Sequence, residues 1–171
     1  MVNSRNTAVN WVNTYDVMRI RVERPNKNNT KVHLYIVNNG KNVAHLEVNL
    51  PNNRTKPVEY SGGTHPNYRG RGYGAVIRAL ATKMAQIANY KKVSHFGQNI
   101  NNISKKRGGP NAGLASSTYI VRKALGYRPN GPYKHWSLFE FNKNSMNKIN
   151  RVLRNWKNPN ATLPKPSSKR A

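Results

Sequence analysis

Residues 65 to 75 read His-Pro-Asn-Tyr-Arg-Gly-Arg-Gly-Tyr-Gly-Ala and fall between an extended stretch and an apolar-striped helical one. Three glycines let the backbone curl so that successive N–H groups point inward, and the helix start adds partial positive charge. Two arginines supply full charges. This combination suits a phosphate or diphosphate cradled by Arg69, Gly70, Arg71, Gly72, Tyr73 and Gly74. A glycine turn also serves simply to reverse the chain, so the loop alone leaves both uses open. Other chemistries have less to work with. The chain has no cysteine, which excludes disulfides, thiolate nucleophiles and sulfur-ligated zinc. His33, His45, His65, His95 and His135 lack the spacing of a metal site, and no metal is expected. No Ser/His/Asp arrangement and no Gly-Lys-Ser/Thr phosphate loop occurs.

The elements that position the loop are legible from hydrophobic periodicity. Tyr15 to Glu23 alternates, with Met18, Ile20 and Val22 on one face. Val32 to Val37 and Val43 to Leu50 read as strands joined around Asn38 to Asn42, a hairpin signal. Pro57 to Thr64 is a strand in which Gly62 and Gly63 predict a bulge or splay. Ala75 to about Asn89 is the longest helix, with Val76, Ile77, Leu80 and Met84 as its stripe. A strand over Lys92 to Gln98, a helix over Leu114 to Leu125 and a strand over His135 to Asn142 follow. A last helix, Ser145 to Lys157, carries Met146, Ile149, Leu153 and Trp156 on one face, with Lys148, Arg151 and Arg154 elsewhere. The expected fold class is α/β: a mixed, mostly antiparallel sheet of about six strands flanked by helices, with a C-terminal helix and basic terminal tails. Residues 1–14 form an extended arm, 15–142 the α/β domain, 143–158 the amphipathic helix and 159–171 a basic Pro/Lys tail.

Charge is the second large feature. Thirty Lys and Arg against five acids give the 171-residue chain a net charge of +25. Self-repulsion of that size calls for a polyanion, and each neutralised phosphate would release counterions and add affinity. RNA, DNA or other subunits of a large assembly are therefore the expected partners, met through the phosphate backbone without sequence readout. Lys105 to Arg107, the last helix and Lys165, Lys169 and Arg170 are the basic stretches. No apolar run approaches the roughly 20 residues that span a bilayer, and the N-terminal residues lack a secretory h-region. An intracellular setting, or one within a virion or ribonucleoprotein particle, is expected.

Read as Arg69-x-x-Gly72-x-Gly74, with Pro66 and Tyr68 ahead, the loop resembles the coenzyme A loop of the GNAT acetyltransferase superfamily. A helix from about Ser116 closing on Ala124-Leu125-Gly126-Tyr127 resembles that family's Gly-aromatic element, and the resemblance covers about Lys31 to Phe141. It implies a GNAT-like acyl-CoA-binding domain, acetyl-CoA as cofactor, and N-acetyl transfer beside a nucleic-acid assembly. Such a reaction needs a base for the ammonium proton, backbone donors for the thioester carbonyl and an acid for the leaving thiolate. Among Asp16, Glu23, Glu47, Glu59 and Glu140, Glu59 stands nearest the family's carboxylate, one residue from the matching Val58; Glu47 is the weaker candidate. Arg122 occupies the family's tyrosine position and Ala115 its asparagine, so the resemblance assigns the acid to Tyr119, one helical turn earlier. Only Arg24 to Lys31 separates the first two core strands, where the family carries helices that wall the acceptor site. These departures define an alternative: a GNAT-fold structural subunit of a virion or ribonucleoprotein particle without catalysis.

Overall fold

The structure is a computed structural model describing residues 5–10, 16–23, 27–38, 40–69, 72–97, 116–132 and 135–155; for 5–10, 16–23, Asn38 and Ser116 it describes backbone alone. The tail beginning at Pro159, the basic loop Lys105 to Arg107 and Trp156 lie outside the described residues.

The chain runs β1 (Arg5–Asn10), β2 (Asp16–Glu23), β3 (Asn29–Asn38), β4 (Lys41–Pro51), β5 (Val58–Thr64), a 3-10 turn (Pro66–Tyr68), α1 (Tyr73–Ile87), β6 (Lys92–Phe96), α2 (Ser116–Ala124), β7 (Arg128–Pro129), β8 (Trp136–Glu140) and α3 (Met146–Asn155). The described strands form one open sheet in the order β1-β2-β3-β4-β5-β6-β8-β7. Neighbours are antiparallel throughout except β5 and β6. A parallel pair needs a crossover, and α1 supplies it. The fold is thus α/β with a mostly antiparallel sheet and three helices.

Two strands go beyond the sequence expectation. Arg5–Asn10, read as part of an arm, runs antiparallel to β2 from Arg5 opposite Val22 to Asn10 opposite Val17. β7 is a two-residue pairing with β8, too short for any periodicity to announce it.

The sheet's inner face carries the core. Val32, Leu34 and Ile36 on β3 and Ala44, Leu46, Val48 and Leu50 on β4 are buried, and α1 covers them with Val76, Ile77, Leu80 and Met84. Eleven residues of this 15-residue helix are buried, because α2 and α3 close over the side that the sheet leaves uncovered. Leu125 and Ile149 complete that upper layer, with Val152 and Leu153 packed at its margin.

The decisive irregularity lies between β5 and β6. They pair only at Val58 with Val93 and Glu59 with Ser94. β5 continues to Thr64 in unbroken register with β4, so the irregularity foreshadowed by Gly62 and Gly63 appears on the β6 side as lost pairing. Gly62 has φ 136°, and a Cβ there would lie 2.1 Å from the His45 carbonyl oxygen, whereas one on Gly63 would meet open space. Gly62→Ala is therefore expected to destabilise the protein by more than about 2 kcal/mol, and Gly63→Ala by well under half of that. Urea midpoints of the two variants check the contrast.

Candidate functional site

After Thr64 the chain folds into its 3-10 turn, where the His65 Nδ1 accepts from the Asn67 N–H at 3.3 Å and the His65 ring meets Tyr68 edge-on. Gly72 then takes the left-handed conformation at φ 88°, and α1 begins at Tyr73. The N–H groups of the first helical turn have no intrahelical acceptor. The N-cap residue Gly72 has no side chain to cap them, and no acidic residue stands in that turn to balance the helix's positive end. Gly74 is held from three sides: a Cβ would lie 3.1 Å from Arg78 Nη1, 3.3 Å from Ile120 Cδ1 and 3.5 Å from Thr64 Oγ1. Arg69 is exposed, while Gly70 and Arg71 lie outside the described residues.

On the outer face, where β5 and β6 part, lies a cleft of about 490 Å³. Glu47, Asn49, Glu59, Tyr60, Ser61, Ser94, Phe96 and Trp136 line it. The pleat explains the membership. Glu59 pairs with Asn49 and Ser94, and Ser61 with Glu47, so alternate residues of three strands share this face. Val58, the position matching the family's carboxylate, is fully buried on the inner face, and Glu59 is exposed on the cleft side. Glu47 forms an ion pair with Lys31 at 2.8 Å, which holds its carboxyl below the usual range. Ser94 Oγ accepts from Trp136 Nε1 at 2.6 Å, fixing the indole at the cleft wall. Phe96, in register with Trp136, is 52% exposed.

Tyr60 lines the cleft, and its side chain on the inner face belongs to a buried polar cluster. Arg78 of α1, only 4% exposed, donates from Nη1 to the Gly74 carbonyl at 3.0 Å and from Nη2 to the Gly62 carbonyl at 3.3 Å. It ties the helix start to β5 beyond the last β6 pair. The Thr82 hydroxyl donates to the Arg78 carbonyl at 2.8 Å. With that hydrogen committed, Tyr127 must be the donor in its 2.6 Å bond to Thr82, and Tyr60 donates to Tyr127 at 3.2 Å. Burial pushes the Tyr60 phenol up to about 12 and raises Tyr127 well above the ordinary range, so both stay protonated. His95, its ring 5.4 Å from that of Tyr60, is pushed down to about 3 by burial and by the charges of Arg78 and Arg122.

The candidates named from sequence are thus distributed over three places. Glu59 and Glu47 share the cleft. Gly72, Tyr73 and Gly74 form the start of α1, and Tyr119 lies half-buried on α2, outside the cleft lining. Arg122 reaches β8 instead, donating to Ser137 Oγ at 2.8 Å and to the Trp136 carbonyl at 3.1 Å. His33 and His45 stack with Tyr35 on the outer face, and no metal-ligating group occurs among the described residues. Arg78 and His95 were not singled out by sequence. The signal for Arg78 was a charge set between Ile77 and Ala79 in an apolar run; His95 gave none beyond its place in a strand.

Compared with known proteins, the chain matches no protein-family model and no curated protein.

The burial of His95 has a pH consequence. The folded protein keeps the imidazole neutral down to about pH 3, whereas the unfolded chain protonates it near pH 6.5. Unfolding therefore takes up a proton between these values, and stability falls as pH falls through that window, by at most about 1.4 kcal/mol per pH unit. Above the window the contribution is complete. His95→Phe should flatten this slope between pH 6.5 and 4.5, read from urea denaturation at several pH values.

Proposed function

We propose that this protein is a GNAT-like acetyl-CoA-binding N-acetyltransferase that works on or beside a nucleic-acid-containing assembly. The observation that supports the reading is the loss of β5–β6 pairing after Glu59 and Ser94, with a cleft on the outer face at that gap and the glycine-led start of α1 following the end of β5. A thioester arm needs such a gap between strands, and a diphosphate needs such a helix start. In this reading Arg69, Gly72, Tyr73 and Gly74, with Gly70 and Arg71 of the same loop, hold the diphosphate.

Glu59 takes the ammonium proton of the acceptor. It is exposed on the cleft wall, and Glu47, already paired with Lys31, is the less available base. The Tyr119 hydroxyl stands as the acid for the leaving thiolate. The net charge of +25 supports a polyanion such as RNA or DNA as the partner.

The second reading, a structural subunit of a virion or ribonucleoprotein particle without catalysis, is favoured by Tyr119 lying away from the cleft lining. It keeps the polyanion contact and drops the chemistry.

Protein stripped of nucleic acid is expected to bind acetyl-CoA in calorimetry at or below millimolar ligand. Absence of binding at that concentration removes the enzyme reading. Where an amine acceptor is turned over, Glu59→Gln should lower kcat by about 100-fold or more while acetyl-CoA affinity stays within about twofold. Binding to nucleic acid is expected to weaken steeply with salt, with a log–log slope of several units. A slope near zero contradicts the polyanion partner in both readings.

A further inference from the structure

Charge is divided between the two sides of the sheet. α1, α2 and α3 contain no Asp or Glu. Glu47 and Glu59 line the cleft on the outer face, and Glu140, at the end of β8, shares a cavity with Asn144 and Ser145 ahead of α3. The helices lie on the other side, with α2 and α3 packed on α1.

α3 sorts its residues by face. Met146 and Ile149 are buried, and Val152 and Leu153 pack against the core. Asn147, Lys148, Arg151, Arg154 and Asn155 are exposed. At about 100° per residue, these share the stripe that points away from the core. Lys123, exposed at the end of α2, extends the row, since Lys148 Nζ donates to its carbonyl at 3.5 Å. No carboxylate among the described residues pairs with Lys123, Lys148, Arg151 or Arg154. The helix dipole accounts for Lys123 and Arg154, each in a last turn, but not for Lys148 and Arg151. Like charges one turn apart on a helix oppose folding, so the row carries a repulsion that a bound polyanion would remove.

We infer that this row, Lys123 with Lys148, Arg151 and Arg154, is the surface that meets the phosphate backbone of a nucleic-acid duplex, leaving the outer cleft uncovered. The inference rests on the polyanion partner of the proposed function and says where that partner lies. Residues three apart on a helix stand about 5 to 6 Å apart, so successive side chains can reach separate phosphates. Asn147 and Asn155 add amide donors in the same stripe. A duplex is favoured over a single strand because α2 and α3 expose no aromatic side chain on which bases could stack: Tyr119 is half-buried, and α3 has none. It is favoured over an anionic lipid surface because the apolar face of α3 is packed against the core and does not enter a bilayer. A duplex on the helical side leaves Glu59 and Phe96 open to a second partner.

The test uses the whole chain with a mixed-sequence DNA duplex, and separately an RNA duplex, of about 20 base pairs, roughly two helical turns. Combining Lys123→Gln, Lys148→Gln, Arg151→Gln and Arg154→Gln should lower the log–log salt slope by about 3 to 4 units, since each neutralised phosphate contributes about 0.9. Combining Lys27→Gln, Lys41→Gln and Lys56→Gln, all exposed and away from the helices, should change it by less than about one unit. The chain has no cysteine, so single thiols report on each side. Duplex should slow the labelling of Asn147→Cys by a neutral maleimide about tenfold or more and leave that of Phe96→Cys within about twofold. Should the combined helix variant fail to fold, this thiol pair decides. Wild-type binding with an unchanged slope in that variant, or protection of Phe96→Cys instead of Asn147→Cys, overturns the placement while leaving the polyanion partner standing. Protection of Asn147→Cys by a single strand or by phosphatidylserine vesicles, but not by the duplex, overturns it as well. A slope near zero in the wild type removes the placement and the polyanion partner together.

Discussion

The rest of the structure depends on how β5 survives without a strand on one side. A strand interior to a sheet usually has partners on both sides, and β5 past Glu59 keeps only β4, with Ser61 and Gly62 exposed. Arg78 answers for part of this by giving the Gly62 carbonyl the donor that a β6 amide would have supplied. Gly62 answers for another part, because with no Cβ it admits the His45 carbonyl at a distance no other residue tolerates. The same guanidinium holds the Gly74 carbonyl at the start of α1. The gap and the glycine loop are therefore one construction, and a change at Arg78 reaches both.

That construction also sorts charge. The chain has six cations for each acid, yet two of its five acids line the outer cleft. On the inner face burial, with the charges of Arg78 and Arg122, holds His95 neutral. From the outer face inward the sheet thus carries carboxylates first and cations second. Under the acyl-transfer reading that order suits the reaction: the ammonium of the acceptor meets Glu59, and negative charge developing on the thioester oxygen lies toward the cationic side.

What the sequence revealed follows from which interactions are local. The strands from β3 to β5 alternate clearly because one face meets α1, and period-2 patterning records that burial directly. β1 was read as an arm since Arg5–Asn10 is polar, Asn-bearing and paired only at the edge. β7 is two residues long and exists by virtue of β8. The side of the sheet on which Glu59 falls depended on register, and only the pairing with Asn49 and Ser94 assigns it to the cleft. Arg78 and His95 are the harder case. Arg78 on α1 bonds the Gly62 carbonyl of β5, and His95 on β6 meets the Tyr60 ring of β5, contacts between separate elements that no single stretch of sequence announces.

The outer face bears on what could be acted on. Between β2 and β3 the chain has only residues 24–28, so no helix stands there to wall the cleft. An acceptor at Glu59 would meet strands on one side and must bring its own surface for the other, which suits a macromolecule better than a small amine. A basic acceptor is repelled by a +25 chain at long range, while the attraction of Glu47 and Glu59 extends only about a Debye length, roughly 10 Å at 0.1 M salt. A shared polyanion removes that barrier by screening both partners and raising their local concentration. On this argument the surplus charge and the acidic cleft are not competing clues to two functions. Under the acyl-transfer reading the first would assemble the reactants on nucleic acid, and the second would then select the amine.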